Sequence, residues 1–498
     1  MFNLDIQKIL SLISFNPNDP LMFGSSLFLF LFFFLLVFYR LFANSKNARI
    51  ILLIIFSLYF YYKASGLFFL LLIFNAVANF QFGKWMGNET EQSKKRIILA
   101  LSLIFNLGIL GYFKYTNFFL EIVSGVQNGS FQPLDIILPI GISFYTFKSL
   151  SYVIDIYLET MQPTNNFRDF SLFVFFFPNI LAGPIDRASK FLPQLQKDYN
   201  ITRRDVAMGL MLIMLGLVKK IMIADYISLN FVDRVFEVPL RFTGVENLLA
   251  VYGYTLQLYA DFSGYSDIAI GIALLLGFKL MENFNYPFKA KSIADFWRRW
   301  HISLSSWLLD YVFRPLQINF RNLRTAGNIA ALIITFVLIG LWHGASWAFI
   351  IWGLLHGVYM SVGLITRNTK KNIFDKLKLT NTKLLGFGQI FVTFNLVAFS
   401  FLFFRADSFE TASNILHQIF FFFKPEVFMQ FITGYTPTFI LIASGFLFHF
   451  LPSSLLDKSI NILEGMPIVA QALLLAVVIW SVVQVQYADL QPFIYFQF

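Results

Sequence analysis

The chain contains no cysteine. Disulfides, a thiolate metal site, S-palmitoylation and an acyl-cysteine intermediate on this polypeptide are therefore all excluded. Charge is the second shortage. Asp, Glu, Lys and Arg supply 13% of the 498 residues, about half of the roughly 25% usual in a soluble domain. No polar stretch is long enough to fold as a soluble domain of its own. Several catalytic signatures are also missing. There is no Gly-x-Ser-x-Gly elbow, no P-loop, no His-Glu-x-x-His zinc helix, and no histidine with an aspartate five positions on.

What fills the chain instead is apolar. Hydrophobic residues make up 57%, Phe alone occurs 65 times, and the mean hydropathy is +0.66. Apolar runs recur from end to end, and about twenty such residues suffice to cross the hydrocarbon core. The expectation is an all-α, polytopic integral membrane bundle with about 11–13 membrane-embedded helices, some of them re-entrant. It is read as one membrane-embedded domain, 1–498, with a catalytic core at about 136–366. The net charge of +10 resides in short loops between apolar runs. That is the pattern of the positive-inside rule, and no basic patch interleaved with aromatics points to nucleic acid. Asp5 and Lys8 precede a long span without a cleavage site, so no cleavable signal is expected.

In chain order, residues 1–15 read as an interfacial lead closed by the turn Asn16-Pro17-Asn18-Asp19-Pro20. A span follows at 21–42. Two shorter helices fill 50–82, with a turn near Lys63-Ala64-Ser65-Gly66, and another span lies at 97–115. Residues 116–135 read as a loop and 136–158 as a helix opened by Pro139, tolerated near a helix start. The stretch 172–181 is apolar but too short to cross, and Pro178 interrupts it. It reads as re-entrant, or equally as an amphipathic helix lying on the surface. The basic loops at 44–49, 84–96 and 186–205 are assigned to the cytoplasm. Residues 206–227 form a span containing Lys219 and Lys220, which either snorkel to an interface or line a cavity. Later spans are placed at 384–404, 439–451 and 468–485, with a shorter apolar run at 415–423.

Two places concentrate polar groups within this apolar setting. Between Asn247 and Phe278 lie Tyr252, Tyr254, Gln257, Tyr259, Asp261, Ser263, Tyr265, Ser266 and Asp267. These read as the lining of a polar interior, or as hydrogen-bonding glue between helices. The second place holds two histidines. Ser292-Ile293-Ala294-Asp295 has capping-box spacing and predicts one helix running on to Tyr311. On it, His301 would share a face with Trp297, Leu304, Ser305 and Leu308, with Arg298 and Arg299 alongside. His343 stands in Trp342-His343-Gly344-Ala345-Ser346-Trp347, between two runs without charge. An ionisable group inside a membrane segment is a functional candidate by default, although either imidazole could be simply packed and hydrogen-bonded.

A neutral imidazole can accept the proton of a hydroxyl as that hydroxyl attacks. Burial keeps an imidazole neutral, which suits a base. Acyl transfer from a thioester to an alcohol needs little beyond positioning and one such base. A metal site is the rival use, but no carboxylate or thiol pattern accompanies the pair, so no metal ligands are assigned. His356 is a third possibility, while His417 and His449 read as structural.

Five segments carry a resemblance. They are Ile137-Leu138-Pro139-Ile140-Gly141-Ile142-Ser143-Phe144-Tyr145; Phe177-Pro178-Asn179-Ile180-Leu181-Ala182-Gly183-Pro184-Ile185; Gln257-Leu258-Tyr259-Ala260-Asp261-Phe262-Ser263-Gly264-Tyr265-Ser266-Asp267; Asp295 to Ser305; and Leu341-Trp342-His343-Gly344. In this order they resemble the membrane-bound O-acyltransferase family, and within it the AlgI-like branch. The resemblance implies His343 as the catalytic histidine and His301 as the second active-site histidine. It also implies a central funnel, with donor entering from the cytoplasm and acceptor from outside. The candidate lining comprises Trp342, Asp261, Tyr259, Ser305, Trp297 and Arg298. No cofactor is expected to be bound; the donor implied is an acyl thioester, acetyl-CoA, and the acetyl group would pass to an exported acetyltransferase that modifies a polysaccharide. The membrane implied is the inner, cytoplasmic one. One departure stands out. Phe313-Arg314-Pro315-Leu316-Gln317-Ile318-Asn319-Phe320-Arg321 replaces the Ile-Pro-Leu-Gly-Gly-Asn-Arg run usual in that branch, and Leu309 stands where an arginine is usual.

Three alternatives stay open at this level: a DltB-like D-alanyl transferase, a transporter or exporter, and a structural partner in an envelope complex. A transporter would more often show repeated halves with paired broken helices, and no such symmetry is visible.

Overall fold

A computed structural model describes residues 12–17, 20–127, 129–380, 382–485 and 493. Most of the expected N-terminal lead, with Asp5 and Lys8, and Asn18-Asp19 of its closing turn lie outside them. Among the described residues every regular element is helical. Seven helical stretches among the described residues are long and apolar enough to cross a membrane, or up to eight if the bent pair Val427–Gly434 and Thr436–Phe450 is one span. The chain is thus a multi-pass membrane protein. Gly244–Leu275 is also long enough, at 32 residues, but it carries the polar series and is buried along most of its length.

The chain forms two compact units. The first runs through Ile213 and takes in Ser266–Met281; the second holds Met214–Tyr265 and the chain from Glu282 onward.

In the first unit, Lys46–Ser65 and Phe69–Asn88 make the expected pair of helices, joined by a short 3-10 turn at Gly66–Phe68. The helix Gln92–Val126 runs eleven residues into the stretch read as a loop. Proline is absent from that stretch until Pro133, so nothing stops the helix, and the irregular segment begins only at Gln127. Amides tie these helices together. Asn75 Nδ2 donates to Asn106 Oδ1 (2.9 Å), Asn106 Nδ2 to Asn79 Oδ1 (2.8 Å), and Ser149 Oγ to Asn75 Oδ1 (2.8 Å). Hydrogen bonds of this kind hold helices together where lipid offers no hydrophobic drive.

The Pro178 stretch lies wholly inside this unit. Phe167–Phe175 and the single turn Phe177–Ile180 are followed by a buried, non-helical run from Leu181 to Arg187. The surface-helix alternative is therefore wrong: residues 169–188 are buried without exception. Backbone without helical hydrogen bonds survives there because side chains replace them. Asn179 Nδ2 donates to Pro184 O (3.2 Å) and to Asp186 Oδ2 (2.9 Å), and Asp186 Oδ1 accepts from the Met281 N–H (2.9 Å). Lys148 Nζ closes the network on Asn179 Oδ1 at 2.9 Å. Gly141, at φ 78°, sits against the same run, where a Cβ would come within 2.6 Å of Ile180 O. Only glycine satisfies both the backbone angle and the approach.

All three basic loops assigned to the cytoplasm belong to this unit, and the first and third of them meet. Lys46 Nζ reaches Gln196 Oε1, Arg168 Nη1 donates to Asn47 Oδ1 (2.7 Å), and Lys95 pairs with Glu159 (2.8 Å).

In the second unit the continuation of the 206–227 span is helical as far as Glu237, but Val218–Asp225 and Ser228–Val232 are wound wider, as π-helix. The two charge-free runs flanking His343 fold into a hairpin, Arg324–His343 and Trp347–Lys376, turning at Gly344-Ala345-Ser346. The two helices touch backbone to backbone: a Cβ on Gly340 would lie 2.2 Å from Phe349 O, and one on Gly353 2.2 Å from Phe336 O. Small residues permit this close approach.

Two outcomes follow. Asp186→Ala leaves the buried Asn179 amide and the Met281 N–H without the carboxylate that accepts from them, and an unsatisfied buried donor typically costs about 1–3 kcal/mol. The purified variant should melt well below wild type in detergent; an unchanged melting temperature would show that the network is not holding the irregular run. Since the chain has no cysteine, single cysteines at Ser45, Ser93 and Lys197 give a clean topology test. All three should resist an impermeant thiol label in intact cells, whereas uniform labelling would invert the orientation.

Candidate active site

The expected helix through His301 is broken. Ser292 caps it as predicted, its Oγ accepting from the Asp295 N–H at 3.1 Å, yet the first helix stops at Trp297 and a second runs from Ile302 to Leu308. His301 stands at the break with φ 44° and ψ 54°. A left-handed backbone at a non-glycine residue costs on the order of 1–3 kcal/mol and persists only where surroundings enforce it. Here the enforcing segment is the extended run before the helix. Asn283 O accepts from the Ile302 N–H (2.9 Å), and the Asn285 N–H donates to Arg299 O (2.9 Å). Asn283 Oδ1 meets His301 Nδ1 at 3.0 Å and accepts from Ser303 Oγ (2.9 Å) and the Ser303 N–H (3.4 Å). The imidazole is fully buried and packs perpendicular to the Phe262 ring, with ring centroids 4.6 Å apart.

His343 ends its helix at the hairpin turn and is 3% exposed. Its neighbours are rings: Trp342 at 4.9 Å, Trp352 at 5.0 Å and Phe404 at 5.1 Å. Trp342 also lies 6.0 Å from His301. One indole therefore touches the surroundings of both histidines, which come from elements some forty residues apart.

The other sequence candidates divide. Trp297 is buried and belongs to the same aromatic body, but its Nε1 donates to His356 Nδ1 (3.2 Å). His356 Nε2 meets Ser400 Oγ at 2.9 Å, and Ser400 Oγ donates to Val397 O (2.7 Å). With an indole N–H donating to Nδ1, the proton of His356 resides on Nε2. Both of its nitrogens are engaged in joining three helices, which is a packing role. Tyr259 is buried against His449 (4.8 Å), Phe288 (5.3 Å) and Trp300 (6.4 Å), with Lys219 Nζ 5.6 Å from its ring centre. Asp261 is paired with Lys220 (2.7 Å), which also pairs with Asp225 (2.7 Å). Lys220 therefore turns inward rather than snorkelling, and the π-helical winding at 218–225 surrounds it. Ser305 is half-buried, its Oγ donating to Trp300 O (3.1 Å). Arg298 is exposed, and its Nε donates within its own helix to Ala294 O (3.2 Å). His449 accepts from the Phe288 N–H (3.1 Å), and His417 is exposed.

Sequence reading passed over Asn283. Its one signal was position, in the polar run Glu282-Asn283-Phe284-Asn285-Tyr286-Pro287 that separates a long buried helix from the capping box. The aromatic wall of His343 was also missed, because Trp352 and Phe404 look like ordinary apolar residues of their helices. Phe493 is a third case: its ring stacks on Tyr265 (4.7 Å) and approaches Phe262 (5.6 Å). Among the described residues no three His, Asp or Glu side chains converge to hold a metal ion.

A model of MBOAT, the membrane-bound O-acyltransferase family, matches residues 164–405, which include both histidines, Asn283 and Trp342. A peptidoglycan O-acetyltransferase of Helicobacter pylori is 38% identical over 373 residues, 70% of this chain and 69% of its own. A probable alginate O-acetylase AlgI of Pseudomonas putida is 33% identical over 515 residues, 96% of this chain and 100% of its own. A teichoic acid D-alanyltransferase of Bacillus subtilis is 33% identical over 293 residues, 56% of this chain and 71% of its own. With such relatives along nearly its whole length, and two buried histidines meeting one tryptophan, this chain belongs to the membrane-bound O-acyltransferase family and is an acyltransferase.

Proposed function

We propose that the enzyme moves an acetyl group from a cytoplasmic thioester donor, acetyl-CoA, to a hydroxyl acceptor on the outer side of the cell's inner membrane. The acetyl group then serves polysaccharide O-acetylation through an exported partner acetyltransferase. The observation that carries the reading is the approach of His301 and His343, from separate elements, to the ring of Trp342. The names of the Helicobacter and Pseudomonas relatives, an O-acetyltransferase and an O-acetylase, support acetyl as the group moved.

In this reading His343 is the base. It takes the proton of the acceptor hydroxyl as that oxygen attacks the thioester carbonyl. The new C–O bond forms, the C–S bond breaks, and the proton passes from the imidazolium to the departing thiolate. No cysteine on the enzyme carries the acyl group, since none exists. His301 orients donor or acceptor, and Trp342, Tyr259, Asp261, Ser305 and Trp297 contribute to the wall around them. A second reading is D-alanyl transfer, favoured by the teichoic acid D-alanyltransferase match. It uses the same thioester-to-hydroxyl step and differs in the acyl group carried.

His343→Ala should lower acyl transfer by at least the roughly 10²–10⁴-fold that a general base contributes, with melting temperature nearly unchanged. His301→Ala should also slow transfer, by a smaller factor. Purified variants in nanodiscs, assayed with acetyl and D-alanyl thioesters in parallel, decide the matter. Near-wild-type turnover by His343→Ala would remove the base assignment, and a joint collapse of turnover and melting would make the residue structural.

A further inference from the structure

His301 has two ring nitrogens, and only one of them can carry the proton when the imidazole is neutral. Which one does so decides what chemistry the residue can perform, and the structure contains the group that decides it. Asn283 Oδ1 lies 3.0 Å from His301 Nδ1. Oxygen and nitrogen of an asparagine amide are assigned from their partners, so the orientation must be argued from a group of fixed character. The Ser303 backbone N–H is such a group, because it can only donate, and it points at the same Asn283 atom (3.4 Å). An amide NH₂ in that position would set donor against donor. The atom is therefore the carbonyl oxygen, and Ser303 Oγ, at 2.9 Å, donates to it as well. An oxygen cannot donate, so the 3.0 Å contact to His301 is Nδ1–H donating to Oδ1.

We propose that Asn283 is a positioning residue for acyl transfer. It holds neutral His301 as the Nδ1–H tautomer, with the lone pair on Nε2, and fixes the ring on a backbone that histidine would not adopt unaided. Nε2 is then the hydrogen-bond and proton acceptor of His301, matched to a hydroxyl or thiol donor rather than to a carbonyl oxygen. The inference rests on the reading of His301 as an active-site residue and adds the substrate group that it addresses. Two further features support it. Asn283 binds the same short segment through both its main chain and its side chain, since Asn283 O accepts from the Ile302 N–H (2.9 Å). It is also 1% exposed, so water does not compete for these bonds.

The test combines a spectroscopic and a kinetic readout on the full-length protein in liposomes. Histidine-selective ¹⁵N labelling gives five residues to resolve, and the signals lost in His301→Gln assign His301. The wild type should show His301 as Nδ1–H. Asn283→Ala should move it to the Nε2–H form or a mixture and lower kcat roughly 10- to 100-fold, by analogy with removing the group that orients a metal-bound histidine, with a smaller effect on KM. Asn283→Asp, which keeps an oxygen acceptor in place, should restore Nδ1–H and recover most of kcat. Ser303→Ala loosens the same segment without touching the His301 contact and should leave the tautomer as in wild type. A wild-type His301 in the Nε2–H form would overturn the proposal even if Asn283→Ala failed to fold. So would a tautomer change without a fall in kcat. The tautomer is read without substrate, so an inactive wild type with an Nδ1–H signal would overturn the transferase reading and support the tautomer assignment.

Discussion

Inside lipid, a backbone N–H or C=O that leaves a helix must find its partner within the protein. The irregular segments of this chain obey that constraint through single polar side chains. Asn179 and Asp186 serve the buried run after Phe177–Ile180, and Asn283 serves the break at His301. Without Asn283 the stretch from Trp297 to Ile302 would have reason to become one continuous helix. His301 would then lie on a regular helical face, with its ring orientation set by rotamer preference alone. The break places the histidine in a left-handed backbone that packs its ring on Phe262 and brings it near Trp342.

The second histidine is positioned by a different device. Glycines let the two helices of its hairpin meet along their backbones, and the turn puts His343 at the end of one helix, against rings contributed by the other and by Lys383–Arg405. One histidine is therefore held by a hydrogen-bonded amide and the other by aromatic surface. That difference suits a division of labour in which His301 presents a defined nitrogen and His343 exchanges a proton.

Much of this was legible in the residues themselves. The apolar runs marked most spans, Pro178 marked an interrupted segment, and charge-free flanks singled out His343. Ser292 announced its cap, but periodicity could not reveal the break nine residues later. Trp300, Leu304 and Leu308 keep helical spacing across it, and the cause lies in a distant asparagine. The loop read at 116–135 failed for the opposite reason: polar residues suggested an end that no proline enforced. Lys219 and Lys220 were ambiguous between interface and interior. The carboxylates that decide for Lys220, Asp225 and Asp261, become neighbours through π-winding and helix packing, which one-dimensional spacing does not display.

The central claim is that acyl transfer occurs where Trp342 adjoins the two histidines. The most direct measurement is a structure of the protein in nanodiscs with an unreactive acetyl-CoA analogue, in which a methylene replaces the thioester sulfur. The account predicts the acetyl carbonyl in contact with Trp342, with imidazoles of His301 and His343 on either side of it. An acetyl group seated elsewhere, with both imidazoles out of reach of its carbonyl, would contradict it.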